Sequence, residues 1–364
     1  MERLPLHGIR VADFSQVWSG PYLTKTMGDW GAEVIKVESL VRYDTERGPV
    51  KVQARADGAV VGGYPKGQPG AQPINQRGRF VEYNRNKYAI TLDLTTDEGK
   101  EQARTLVSIS DVVVENYSVG VMARFGLDYP SVRRIRPDVV MISLPAFGTT
   151  GPESSYIGYG PTQEALSGLS SITCYPGGDP QETGVFYPDP TIGLFGCMAV
   201  MSALWHRRRT GVGQYLDLAQ REGVIHILPE LVLEYQMTGR ILESAGNRHP
   251  AMAPHGCYPC AGQDFWVVIS VESDEMWRGL CAAMVRDDLA QDPRLATLTG
   301  RKGRHDELDN VISDWTRQRT HYEAMHTLQA HGVAAEAVLK GTEIFKDPHY
   351  AARGFFEMSE VADA

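Results

Sequence analysis

Carboxylates and histidines are the side chains of this sequence whose types could do chemistry. Asp179 and Asp189 lie close together in the middle of the chain, and a carboxylate can attack an activated acyl group or move a proton. Glu164 is a third carboxylate near them, and we expect it on a helix surface. His249 and His255 border a proline-rich loop, where we expect neutral histidines, with hydrogen bonding in a site as the alternative. These carboxylates are the candidates for nucleophilic or acid–base work.

The cysteines indicate structural thiols. Cys257 and Cys260 have the C-x-x-C spacing of a metal site, but no second pair accompanies them and Pro259 lies between them. Five cysteines form an odd count, typical of reduced thiols and not of a disulfide framework. The glycine fingerprints of nicotinamide and P-loop sites are absent, as are the G-x-S-x-G and H-E-x-x-H signatures. The sequence therefore predicts no metal and disfavours dehydrogenases, P-loop proteins and the commonest hydrolases.

Alternating strands and helices must position these side chains. Residues 9–14 and 33–38 are β-branched runs typical of strands, with helical spacing over 22–30 between them. The alternation continues with strands predicted at 89–94, 111–115 and 139–144 and helices at 95–108, 129–136 and 194–205; Thr95 to Glu98 is a capping signal. Such alternation predicts an α/β fold with a parallel sheet covered by helices on both faces.

Length and charge bound the remaining choices. The chain has 364 residues and a formal charge of −9, which gives no reason to expect nucleic acid or a membrane as partner. We predict a cytoplasmic enzyme, since the start lacks a secretory signal. The change in sequence pattern along the chain predicts a large domain over 1–224, a small domain over 225–330 and a linker returning to the large domain over 331–364. Residues 48–78 are predicted to form a long surface excursion.

Several short stretches, in order along nearly the whole chain, resemble the family III CoA-transferases, the group of formyl-CoA transferase, carnitine CoA-transferase and alpha-methylacyl-CoA racemase. The resemblance implies a Rossmann-like large domain, a smaller α+β domain, an interlocked dimer, an acyl-CoA substrate and a carboxylic acid that receives CoA. The stretches are Leu6 to Val11, Ser19-Gly20-Pro21, Gly31 to Glu38, Asn84 to Lys87, Leu92-Asp93-Leu94, Asp111 to Asn116, Phe147 to Pro152, Thr210 to Gln214, Gly246 to Pro250 and Asp347-Pro348.

By matching position, the resemblance also implies a CoA site. Trp18 would stack on adenine or line the acyl pocket, or else pack in a turn. Asn116 would bind the pantetheine or cap a turn, and Arg124 would bind phosphate or be solvated. Ser39 replaces an arginine that some relatives carry near the phosphates. The implied contacts are Val17, Trp18, Ser19, Leu92, Thr95, Asn116, Tyr117 and Arg124, with Ala146 and Phe147 near the thioester.

The nucleophile is where the sequence departs from the family pattern. Family transferases use an Asp that forms a mixed anhydride and then an enzyme–CoA thioester. The stretch expected to carry it follows Ser167-Gly168 and has Gly177 at that position, with Asp179 two residues on.

Three hypotheses follow from this departure. In the first, which we favour, the chain is an Asp-lacking subunit of a heteromer with a homologous chain, as in succinyl-CoA:benzylsuccinate-type transferases. In the second, Asp179 is the nucleophile of a homomer. In the third, the chain acts on acyl-CoA without a covalent Asp. In the last case, Asp189 matches one acid–base partner of the racemases, although it would also serve to cap the following helix. A protein that only binds acyl-CoA is the non-enzymatic alternative.

Overall fold

The computed structural model describes residues 4–48 and 73–358, so most of the predicted 48–78 excursion lies outside the described residues. The described residues divide into two compact units, the first comprising 4–48, 73–173 and 180–242, and the second 174–179 and 243–358. The units part after residue 242, where the sequence analysis placed the boundary after 224, because the helical stretch after Gln220 continues to Thr238. Residues 331–358, expected to form a linker, group with the second unit.

A parallel six-stranded sheet organises the first unit and confirms the predicted Rossmann-like architecture. The strand order is β3-β2-β1-β4-β5-β6, and Val11 of the central strand pairs with Val34 on one side and Val112 on the other. Strand order reverses between β1 and β4, where open α/β sheets form a crevice at the carboxyl ends of their strands. The strands are β1 (Arg10–Asp13), β2 (Glu33–Glu38), β3 (Lys87–Thr91), β4 (Val112–Glu115), β5 (Val140–Ser143) and β6 (Tyr215–Asp217).

Helices cover both faces of this sheet. The side chains of each strand alternate between the faces, so Val112 and Val114 contact one apolar core and Val113 the other. Helices α1 and α8 close the first core, and α3, α4 and α5 close the second. The helices are α1 (Ser19–Asp29), α2 (Gly78–Asn84), α3 (Asp97–Ser108), α4 (Val121–Phe125), α5 (Tyr129–Ile135), α6 (Gly160–Leu166), α7 (Leu169–Ile172), α8 (Pro188–Thr210), α9 (Gln220–His226) and α10 (Pro229–Thr238), with 3₁₀ turns at Thr45–Arg47 and Pro73–Asn75.

Two sequence expectations about these helices have different outcomes. The capping signal before α3 is confirmed, since the Thr96 hydroxyl accepts a hydrogen bond from the Gly99 N–H at 3.1 Å. The apolar helix predicted at 194–205 lies within α8, and only one side of it is buried in the core. Leu194, Met198 and Trp205 are 50%, 62% and 61% exposed, so the opposite side of this long helix presents apolar groups to the surface.

The second unit is built on a small antiparallel sheet in the order β7-β8-β9. Its core joins Val267 and Ile269 of the middle strand to Trp277, Ile312 and Leu328 of three helices. Residues 174–179 belong to this unit, and the Ser244 hydroxyl donates to the Cys174 carbonyl. The elements are β7 (His255–Pro259), β8 (Trp266–Ser270), α11 (Asp274–Met284), α12 (Asp287–Ala290), α13 (Leu298–Gly303), α14 (His305–Thr316), α15 (His321–Ala330), β9 (Ala334–Ala337), α16 (Gly341–Ile344) and α17 (Pro348–Ala352).

None of the helices in the described ranges is long and apolar enough to cross a membrane.

Candidate active site

The loop between β1 and α1 lies at the crevice of the sheet and is held by side chains from neighbouring strands. The Gln16 N–H donates to Asn116 Oδ1 at 2.8 Å, and Asn116 Nδ2 donates to the Gln16 carbonyl at 2.7 Å. The Val17 N–H donates to Asp44 Oδ1 at 3.1 Å. Val17 has a φ of +68°, in the region that costs a branched side chain energy and persists only when neighbours fix it. Asn116, one of the predicted CoA contacts, therefore orients this loop.

Buried charges beneath the loop fix it further. Lys36 Nζ donates to the Ser15 carbonyl at 2.8 Å and to Asp44 Oδ2 at 3.0 Å. Asp13 is fully buried and bonds Lys87 Nζ at 3.1 Å. Burial acts to raise the pKa of Asp13, but Lys87 and Lys36 outweigh it, so that this pKa is lowered. Removing one partner of such a pair would leave a buried charge uncompensated. These ion pairs therefore hold the loop above them in place.

Asp189 lies directly beside this loop. Its carboxylate accepts a hydrogen bond from the backbone N–H of Ser19, the first residue of α1. Burial raises the pKa of Asp189 to about 7, the Ser19 N–H opposes the rise, and the charges of Glu46 and Glu164 add to it. Asp189 was expected to cap its own helix, but the N-cap of α8 is Tyr187 and no side chain caps it. This desolvated carboxylate instead faces the N-terminus of α1.

Glu164 is fully buried, so the expectation of a surface position was wrong. Thr183 donates from its N–H to Glu164 Oε2 at 2.9 Å and from its hydroxyl to Oε1 at 2.6 Å. The Tyr187 N–H donates to the same Oε1 at 3.0 Å. These partners lie about twenty residues after Glu164 in the sequence. The local sequence pattern around Glu164 therefore does not predict its burial. Glu164 thus binds the segment that leads to Asp189.

A cavity of about 450 Å³ opens at the carboxyl ends of β2 and β3 and next to α4. Its volume is within the range of small-molecule sites. Arg42 and Arg124 both line it, and in the part of the chain that the structure describes neither guanidinium is paired with a carboxylate. The cavity also holds Glu38, which Arg47 neutralises at 2.6 Å, and Asp93, which Thr95 binds. Of the predicted CoA contacts, it brings together Leu92, Thr95, Tyr117 and Arg124.

Arg42 was missed by the sequence analysis. It lies three residues beyond Ser39, in the segment after β2, and both residues line the same cavity. The missing arginine at Ser39 was a signal that could have directed attention to the next cation along the chain. Arg42 supplies a positive charge to the same cavity that the Ser39 position faces.

The remaining predicted contacts lie around Asp189 or beyond β5. Trp18 already stacks on Tyr83, with ring centroids 5.0 Å apart, and its indole N–H is buried without a protein partner among the described residues. Phe147 is buried, contacts the Tyr156 ring edge to face at 5.9 Å and has Arg221 5.0 Å from its ring centre. Ala146 lies close to the position where a β-carbon on Gly158 would be.

Asp179 and Gly177 are not in the same compact unit as Asp189. Both lie in the 174–179 segment, which groups with the second unit. That unit also holds His249 and His255, whose rings are 5.4 Å apart, and the His255 N–H donates to His305 Nε2 at 3.0 Å. Within the described ranges, no group of three or more His, Cys, Asp or Glu side chains is arranged to hold a metal ion.

Gly160 leaves the space that Asp189 occupies. A β-carbon at this position would lie 2.7 Å from Asp189 Oδ2 and 2.7 Å from Phe186 Cβ. We expect Gly160→Ala to lower the free energy of unfolding by about 1–3 kcal/mol and to displace the carboxylate, because overpacking forces neighbours out of place. Thermal unfolding measures the first effect and turnover the second. Gly341→Ala, where no atom lies within 4 Å of the new carbon, is the matched control, and a Gly160→Ala protein as stable as this control would contradict the expectation.

Comparisons with known proteins agree with the resemblance inferred from the motifs. The sequence model of CoA-transferase family III matches residues 6–363. A succinyl-CoA–D-citramalate CoA-transferase from Chloroflexus aurantiacus is 34% identical over 349 residues, 96% of this chain and 82% of that protein. The alpha subunit of a succinyl-CoA–L-malate CoA-transferase from Chloroflexus aurantiacus is 30% identical over 361 residues, 99% of this chain and 80% of that protein. A CAIB/BAIF family protein from Brucella suis has a crystal structure with a TM-score of 0.85 at 30% identity, covering 97% of this chain and 89% of that one.

Proposed function

We propose that this chain, which belongs to CoA-transferase family III, moves CoA from succinyl-CoA to a second small dicarboxylic acid and uses its own Asp189 to do so. One observation carries the proposal: the half-buried carboxylate of Asp189 lies at the N-terminus of α1, and the loop before α1 connects it to a cavity with two unpaired arginines. Gln16 lines that cavity and Ser19 binds Asp189, and three residues span at most about 11 Å. A long, flexible thioester arm anchored in the cavity could therefore reach Asp189.

The surroundings of Asp189 fit nucleophilic catalysis. An Asp189 oxygen attacks the thioester carbonyl, the carbon–sulfur bond breaks, and the electron pair leaves with the CoA thiolate, giving a mixed anhydride. The thiolate then attacks the Asp189 carbonyl and releases the donor acid, leaving CoA bound to Asp189 as a thioester. The second carboxylate reverses these steps and leaves with CoA. A carboxylate with a raised pKa is the more basic, and so the better, nucleophile once it is ionised.

Dicarboxylic acids are the proposed substrates because the two enzymes named above act, by their names, on succinyl-CoA with citramalate or malate. When the CoA thioesters of two carboxylic acids have similar free energies of hydrolysis, CoA passes from one acid to the other without a further energy source. Arg221 lies over Phe147, one of the residues expected near the thioester, and pairs with Glu153 at 2.6 Å.

A two-chain enzyme is the second candidate, because one relative is named as the alpha subunit of a transferase. In either case we infer an oligomer with a homologous chain, interlocked as the family resemblance implies. Exposed apolar side chains favour a covering partner. They lie on α8, at Leu194, Met198 and Trp205, and on α10, at Leu233 and Met237.

The decisive experiment purifies this chain alone and supplies succinyl-CoA with malate, citramalate, glutarate and, as controls, monocarboxylic acids. We expect CoA to appear on a dicarboxylic acid with ping-pong kinetics, because the enzyme–CoA thioester separates two half-reactions. Hydroxylamine added during turnover should convert the intermediate into a hydroxamate, which mass spectrometry locates on the peptide containing Asp189. A lone chain without exchange or hydroxamate, with both appearing on a co-purified homologue, would overturn the role of Asp189 and establish the two-chain alternative.

A further inference from the structure

Glu164 is a buried carboxylate that the chemistry above does not consume. It is 0% exposed, and its carboxylate accepts hydrogen bonds from three donors: the Thr183 N–H, the Thr183 hydroxyl and the Tyr187 N–H. An ionised carboxylate only accepts hydrogen bonds, so this set of donors suits it. In the described ranges no Lys, Arg or His forms an ion pair with Glu164. Because these hydrogen bonds all come from residues 183 and 187, the carboxylate of Glu164 holds that one segment.

The segment bound by Glu164 ends at the catalytic candidate. Tyr187 is the N-cap of α8 and Asp189 lies in the first turn of that helix. Phe186, between the two anchored residues, has a φ of +50°, and its Cβ approaches Gly160 at the start of α6. Since Glu164 belongs to α6 as well, one short helix contacts this segment at two points. The position of the Asp189 carboxylate therefore depends on where α6 holds Tyr187.

We propose that Glu164 is a positioning residue that fixes residues 183–187 and so aims the Asp189 carboxylate at the thioester. The proposal rests on the proposed function of Asp189. It assigns Glu164 no contact with the substrate: both of its oxygens are occupied by Thr183 and Tyr187. An amide at this position could not replace it, because the NH₂ group would face either the Thr183 N–H or the Tyr187 N–H, and one backbone donor would lose its acceptor.

Charge and position can be separated because other groups also face Asp189. Glu46, in the 3₁₀ turn after β2, and Glu164 both act to raise the pKa of Asp189, and Tyr83 of α2 also lies within its electrostatic reach. Glu46 makes no hydrogen bond to the 183–187 segment among the described residues, and its buried Oε2 lies 4.0 Å from Arg77 Nη1. Glu46→Gln thus removes a charge near Asp189 and leaves the segment anchored.

The test compares Glu164→Gln, Glu46→Gln and the wild-type chain in CoA exchange from succinyl-CoA over a range of pH. Both variants should move the acidic limb of the pH profile to lower pH, because each removes a negative charge. Only Glu164→Gln should lower kcat on the alkaline plateau, by roughly 10- to 100-fold, since a small misplacement of a reacting group has effects of that size. Its KM for succinyl-CoA should stay within about twofold, because Glu164 does not line the cavity.

Thr183→Val covers the case in which Glu164→Gln fails to fold. It removes only the hydroxyl that donates to Glu164, and we expect kcat to fall roughly 3- to 10-fold at unchanged KM. A wild-type plateau kcat in Glu164→Gln, or in Thr183→Val if the first variant does not fold, would overturn the proposal. Asp189→Asn measured alongside keeps the two questions apart: if that variant stays active, the proposed function fails, whereas an inactive Asp189→Asn with an unaffected Glu164→Gln sinks only the positioning role.

Discussion

Asp189→Asn is expected to lower kcat for CoA exchange by about 10³-fold or more, because an amide cannot form the anhydride that starts the reaction. The wild-type rate should rise with pH through about 7, since burial raises the pKa of Asp189 to about 7 and only the ionised form attacks. Steady-state exchange between succinyl-CoA and a dicarboxylic acid measures both effects. Asp179→Asn is the matched control, and an enzyme that is inactivated by Asp179→Asn but not by Asp189→Asn would have its nucleophile at Asp179.

Asp189→Asn should also stabilise the folded protein, and this stabilisation should be larger at high pH than at low pH. Because the folded pKa of Asp189 is raised above its ordinary value near 4, the contribution of this group to stability is fully present below about pH 4 and is lost as pH rises through about 7. Asn cannot ionise and keeps the neutral form at every pH. We therefore expect the Tm of Asp189→Asn to exceed that of the wild type at pH 8, by roughly 2–4 °C per kcal/mol gained, with a smaller gap at pH 5.5. An equal or lower Tm at pH 8 would contradict the burial of a charged Asp189.

The double variant Arg42→Ala/Arg124→Ala is expected to weaken the binding of CoA by roughly 100-fold or more. Each guanidinium in the cavity can form charge-assisted hydrogen bonds to phosphate, and each such bond contributes about 1.5–3 kcal/mol. Calorimetric titration with CoA measures the loss, and the loss should shrink at high salt because such contacts are screened. Titration of the two single variants with dephospho-CoA, which lacks the ribose phosphate, shows which arginine faces that phosphate. The variant without that arginine should bind dephospho-CoA about as tightly as the wild type does.

A cation outside the cavity provides the comparison for this result. Arg133, exposed on α5, is an arginine that does not line the cavity. Arg133→Ala should bind CoA like the wild type, since a solvated surface charge contributes little to a distant site. If the double variant binds CoA as tightly as Arg133→Ala does, the cavity is not the nucleotide site.

The strongly patterned elements of the fold were predictable, and the weakly patterned ones were not. Strand β2 was predicted at its observed bounds, because its run Glu33–Glu38 is β-branched and framed by turn residues. Strand β9 consists of Ala-Ala-Glu-Ala, which are residues that favour helices, and β7 contains Gly and Pro. Both are strands because they pair with β8, a tertiary contact that overrides local preference.

The site shows the same division between local and distant information. Leu92, Thr95, Tyr117 and Arg124 were named only because the family resemblance implies them, and the structure brings them to one cavity at the carboxyl ends of parallel strands. The burial of Glu164 depends on Thr183 and Tyr187, and the environment of Asp189 depends on Ser19. These partners are distant in sequence, and periodicity carries no information about them.

The 174–179 segment determines the order in which the chain can fold during synthesis. It leaves the ribosome before β6 and long before Ser244 and the rest of the second unit, with which it groups. All six strands of the parallel sheet are available once Asp217 has emerged, so this sheet can form while the 174–179 segment has no partner. The second unit is therefore discontinuous, and a fragment that begins at residue 243 lacks one of its own pieces. We expect the second unit to fold when expressed separately only if residues 174–179 are supplied together with the residues from 243 onward.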